Sequence, residues 1–161
     1  MRLSVIFSLA GAGMAAAFQL PEGAVDGVYT LKKGATEPEL LLEHNTTDTS
    51  AALTKRGIPI SKTGCNDILM DSVNYEQALA DLTTTCGERD IPAKSGLVAI
   101  VGSAQVFACS WGGENPCRVE EIDEIMGHLD GECGNLVQGG VLIDDWAKAI
   151  GRGIIGSKSC W

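Results

Sequence analysis

All six cysteines of this chain (Cys65, Cys86, Cys109, Cys117, Cys133 and Cys160) lie downstream of the basic pair Lys55-Arg56. An even set of cysteines, spread through one small region, predicts three disulfides and a fold stapled by them. Zinc is the competing use of cysteine. It requires closely spaced ligand pairs, but this chain has no C-x-x-C pair and only His128 among residues 57–161. Each cross-link should contribute about 2–4 kcal/mol by restricting the unfolded chain.

The residues ahead of the cysteines read as a secretory precursor. Arg2, the apolar stretch from Leu3 and the small residues Ala15-Ala16-Ala17 have the three-part pattern of a signal peptide, with cleavage expected after Ala17. That apolar stretch is shorter than the ~20 residues a membrane span needs, so the expected product is secreted and extracellular, without a membrane span. Residues 18–56 contain no cysteine, carry Pro21, Pro38, several Gly and a polar Thr/Ser run at 44–50, and hold the glycosylation sequon at Asn45. This composition predicts a pro-segment largely without fixed structure. It ends in Leu53-Thr54-Lys55-Arg56, the kind of site cut by a kexin-type protease. The expected layout is a leader at 1–17, a pro-segment at 18–56 and a mature disulfide-rich domain at 57–161.

The net charge of −9 argues against nucleic acid as a partner, since binding a phosphate backbone needs clustered Lys and Arg. It also disfavours adhesion to anionic membranes.

Residues 57–161 divide into two halves of similar layout, each holding three cysteines, so at least one disulfide must cross between them. Tyr75, Ala78, Leu79, Leu82 and Cys86 recur at helical spacing and predict a helix over about 74–86, capped by Asn74 and stopped at Gly87. Val119, Ile122, Met126, Leu129 and Cys133 predict a second over about 116–133, capped by Asn115. Between them, residues 96–101 and 105–111 are β-rich runs around Gly102-Ser103-Ala104, a hairpin signal. Leu97 to Val101 is apolar on both faces and should be a central strand. Residues 140–143 and 153–160 are further strand candidates, and Asp144 could cap a short helix running to Ile150. The predicted fold is α+β: a two-layer sandwich of two helices on one face of an antiparallel sheet, stabilised by disulfides. With the helix C-termini at one end, the expected bridges are Cys86–Cys133, Cys109–Cys117 and Cys65–Cys160.

Residues with chemistry to offer do not combine into a catalytic set. His128 has no evident nucleophile or orienting partner in the sequence. Asp144 and Asp145 are adjacent, so their side chains point apart. The run Glu120-Glu121-Ile122-Asp123-Glu124 lacks calcium-loop spacing and reads as a solvated helix face at the positive end of its helix. Its six cysteines committed to disulfides, the chain offers no thiolate. Nothing calls for a cofactor or a metal. Trp111, beside Gly112-Gly113, and the terminal Trp161 are candidates for a binding surface, while Trp146 reads as packing.

The "LTKR" site, the helix ending "CG", the strand pair in "VAIVGSAQVFACSW" and the second "CG" followed by "GGVLIDDWAKAIGRG" together give a resemblance. The chain resembles small secreted cysteine-rich proteins of filamentous fungi, regarded as candidate effectors. Their α/β sandwiches look like the killer toxins encoded by viruses of smut fungi. The resemblance implies a non-enzymatic secreted effector or toxin-like protein that binds a host or competitor protein or cell-surface target, and it brings no catalytic residues with it. Two other classes remain as alternatives: a secreted hydrolase or nuclease using His128 or Asp145, and a cell-wall or carbohydrate-binding protein using Trp111.

Overall fold

A computed structural model describes residues 24–35, 37–43 and 57–160. Along them run β1 (Gly27–Lys32), β2 (Glu39–Glu43), β3 (Lys62–Leu69), α1 (Ser72–Glu88), β4 (Ser95–Val101), β5 (Ala104–Ser110), α2 (Val119–Cys133), β6 (Val137–Ile143) and β7 (Lys148–Ile154). The strands form one antiparallel sheet in the order β2-β1-β4-β5-β7-β6-β3. Both helices contribute to one core with the sheet, as a two-layer α+β sandwich requires.

The core follows from periodicity. Strands β4 and β5 are buried along their whole length, and the turn between them uses Gly102 at φ 52°, a conformation glycine adopts at little cost. Helix α1 buries Tyr75, Ala78, Leu82, Thr85 and Cys86, and α2 buries Ile122, Ile125, Met126 and Leu129. Fully burying an aliphatic side chain of this size contributes about 1.5–3 kcal/mol. Ile125 lies outside the stripe read from the sequence; of that stripe, Cys133 packs partly buried against the core and Val119 is only half-buried.

The helix ends depart from expectation. Asp71, not Asn74, caps α1: its carboxylate accepts the Asn74 N–H at 2.9 Å. The helix runs through Gly87 to Glu88. Helix α2 begins three residues later than expected, because the Asn115 amide is used elsewhere, donating to Ser110 Oγ and the Trp146 carbonyl.

Three strands lay outside the sequence reading. Residues 27–32 and 39–43, expected to be without fixed structure, form β1 and β2; Val28, Tyr29 and Leu31 of β1 are buried. Residues 62–69 form edge strand β3. The final strand is 148–154, not 153–160: the expected helix after Asp144 is a single 3₁₀ turn (Asp144–Trp146), closed by Ala147 in the left-handed region. Residues 155–160 instead pass over the sheet face away from the helices, where the Gln105 amide donates to Ser157.

The disulfides are Cys65–Cys133, Cys86–Cys117 and Cys109–Cys160, so all three expected pairings are corrected. Each joins one half of residues 57–160 to the other. Cys86 meets Cys117 because the last turn of α1 lies beside the segment entering α2, the opposite of helices ending side by side. Cys65 sits on β3, whose neighbour β6 carries Gly139 directly opposite; that glycine leaves room for the Cys133 sulfur from α2. Peptide mapping without reduction should recover these three pairs, and replacing Cys86 and Cys117 together by Ala should cost about 3–4 kcal/mol in chemical denaturation.

Two basic side chains of β7 are buried between the sheet and α2. The Lys148 ammonium donates to Glu121 of α2 and to the Pro116 carbonyl. The Arg152 guanidinium donates to the Val137 and Gly134 carbonyls at 3.0 Å each, pairs with Asp130 of α2 at 2.7 Å and lies over the Tyr75 ring of α1. Their partners balance the desolvation of both cations, so losing one partner leaves a buried charge uncompensated. Glu121→Gln should therefore cost about 3 kcal/mol by denaturant titration, while the double change Glu121→Leu with Lys148→Met should recover most of that loss.

Candidate functional site

Along β7 the large side chains Lys148, Ile150 and Arg152 point to the helices, which leaves Ala149, Gly151 and Gly153 on the opposite face. Three glycines align across neighbouring strands there. Gly64 of β3 lies opposite Gly140 of β6, and Gly140 lies opposite Gly151 of β7. Gly151 in turn faces Phe107 of β5. Gly64 and Gly140, but not the covered Gly151, floor a trough of about 330 Å³, walled by Phe107, Leu142 and Ala149 and flanked by Gln138 and Asn66. The exposed ammonium groups of Lys62 and Lys158 stand at its rim.

The first and last of these glycines differ. A Cβ on Gly151 would lie 2.5 Å from the Phe107 ring and 2.7 Å from the Gly139 carbonyl, so this glycine is required for packing. A Cβ on Gly64 would meet nothing within 4 Å, so the space above that glycine is open. Beyond Gly64 the β3–β6 register shifts between Cys65 and Leu69, and the bulged Asn66 carboxamide accepts the Ile68 N–H. Sequence reasoning did not find the trough. Its only trace is the glycine spacing of β6 and β7, and the partner glycine, Gly64, lies far upstream on a strand the periodicity does not reveal.

The residues singled out from sequence lie elsewhere. His128 Nε2 is 2.8 Å from Thr63 Oγ1, joining α2 to β3 on the helix side. Asp144 and Asp145 are exposed; the Asp144 backbone N–H donates to Ser61 Oγ, and its side chain caps nothing. The acidic run on α2 is more engaged than a solvated face. Besides Glu121, Glu124 accepts the Ile58 N–H at 3.2 Å, and partial burial, with Glu120 nearby, raises the Asp123 carboxyl above its ordinary range. Burial likewise raises the Tyr75 hydroxyl, against the lowering pull of Arg152. Trp146 packs against the main core as expected. Trp111 is half-buried against the smaller cluster of Tyr29, Leu31, Val98, Ile100 and Phe107 and does not line the trough. Ala17, Asn45, Lys55, Arg56 and Trp161 lie outside the described residues.

A second hollow, of about 560 Å³, lies over the Cys86–Cys117 bridge and is rimmed by Glu88, Asp90, Arg118 and Glu120. Although larger, it is bounded by helix ends and a connecting segment, whereas the trough has a floor fixed by three hydrogen-bonded strands. Among the described residues no three His, Cys, Asp or Glu side chains cluster as a metal site would require, and no helix is long and apolar enough to cross a membrane. Compared with family models, curated proteins and solved structures, the chain shows no match.

Gly151→Ala should cost about 1–3 kcal/mol, since the atoms it meets include backbone that cannot turn aside. Gly64→Ala should stay within about 0.5 kcal/mol of the parent. Thermal unfolding of the two variants side by side checks the contrast.

Proposed function

We propose that this chain is a secreted fungal effector or toxin-like protein that acts by binding a protein or cell-surface target of a host or competitor, without catalysing a reaction on it. The leader, the kexin-type site and the resemblance to small secreted cysteine-rich proteins carry the secretion half of this reading. The observation that most supports the binding half is the trough over Gly64 and Gly140. It offers backbone, an aromatic edge and two cations as a contact surface on a scaffold cross-linked by three disulfides.

Lys62 and Lys158 are the cationic points of that surface on an otherwise acidic protein, so they would meet acidic groups on the target. His128 holds two elements together, and Asp145 stands apart from the trough. The test is to apply the secreted, processed protein to plant tissue and to competing fungi and score the response. Reversing both lysines (Lys62→Glu, Lys158→Glu) should lower potency about tenfold or more without changing the melting temperature. Asp145→Asn should leave the response intact. No response from the parent across several hosts and competitors would defeat the proposal. Loss of a measurable hydrolytic activity in Asp145→Asn would instead favour an enzyme.

A further inference from the structure

We propose that the outer edge of β4 is a strand-binding site whose resident ligand is the chain's own segment 24–43, and that this segment stays seated after the chain is cut at Lys55-Arg56. The processed protein is then two pieces held together without a covalent bond. This rests on the processing step of the reading above.

Strand β1 is not an ornament on the edge of the sheet. It pairs with β4 through six consecutive residue pairs, from Gly27 opposite Ile100 to Lys32 opposite Ser95, and β2 pairs with its far side. Its side chains enter both layers. Val28 joins the core beneath the helices, while Tyr29 and Leu31 join the cluster on the opposite face with Val98, Ile100 and Cys160. All three are buried, as is Thr30. The ladder is also clamped at both ends. Asp26 accepts the Gly102 N–H of the β4–β5 turn at 2.8 Å, and the Lys33 N–H donates to the Lys94 carbonyl at 3.0 Å.

No residue before Cys65 is a cysteine, and the three disulfides lie wholly within residues 65–160. A cut after Arg56 therefore severs the only covalent link between the segment and the rest. Departure would bare β4, whose run Leu97-Val98-Ala99-Ile100-Val101 is apolar on both faces. A bare edge of that kind pairs with any strand it meets. Retention of β1 keeps it occupied by a strand whose alternation already fits both layers.

The experiment uses the full-length chain, secreted from a host lacking kexin activity and then cut with purified kexin-type protease. Under denaturing, non-reducing conditions two pieces should separate, the larger beginning at Gly57. Under native conditions, gel filtration and native mass spectrometry at micromolar concentration should show one particle containing both. Val28→Asp should abolish retention after cutting. Should that variant fail to fold, Asp26→Ala removes only the clamp on Gly102 and should release the smaller piece several-fold faster. Loss of the smaller piece from the parent protein on gel filtration overturns retention and leaves the processing step standing. Resistance of Lys55-Arg56 to the protease overturns the processing step and this proposal with it.

Discussion

Strand β7 has to meet opposite demands on its two faces, and most of the molecule depends on how it does so. Towards the helices it presents Lys148, Ile150 and Arg152, two of them cations sealed from water. Charges so placed are tolerated only where partners replace their hydration. Helix α2 supplies those partners in Glu121 and Asp130, about two and a half turns apart on opposite flanks of its buried face, and α1 adds Tyr75. The position of α2 on the sheet is thus fixed by polar contacts at two points as well as by the packing of Ile122, Ile125 and Leu129. On the other face Ala149, Gly151 and Gly153 are small, so the Phe107 ring lies close against the strand and the trough opens beside it.

The disulfides reinforce the same arrangement. Each spans the two halves of residues 57–160, so neither half can loosen alone. Cys65–Cys133 ties edge strand β3 to the end of α2, Cys86–Cys117 ties α1 to the start of α2, and Cys109–Cys160 holds the last residues over β5. Covalent restraint of this kind matters most in a domain whose outer face is only partly covered. A trough floored by backbone could otherwise shift register, because glycines contribute no side-chain packing to hold it.

In the function proposed above, surface shape and charge do the work. The groups that would ordinarily suggest chemistry have structural work: His128 is bonded to Thr63, Glu121 and Asp130 neutralise buried cations, and Glu124 holds the chain at Ile58. The trough carries instead Lys62, Lys158, Gln138 and Asn66 around exposed backbone, a set suited to holding a partner. The segment 24–43 belongs to the same logic, being an extended strand recognised by a sheet edge.

What the sequence determined by itself was the class of fold and the inner side of each helix. Helical spacing of Tyr75, Ala78, Leu82 and Cys86, and the doubly apolar run at Leu97–Val101 beside a Gly-Ser turn, are local signals that burial then honours. Strand β3 escaped because most of its residues are polar or small, and β1, despite Val28, Tyr29 and Leu31, because it is a short run within a segment whose composition suggested no fixed structure; both become strands by completing ladders begun by β4 and β6. The cysteine pairing escaped for a related reason, since many pairings suit six cysteines and only the relative direction of the helices selects one. The trough and the Lys148 and Arg152 pairs were decided by tertiary structure alone. They join residues far apart in the chain, and each is stable only because the other layer supplies the volume, or the charge, that its own segment lacks.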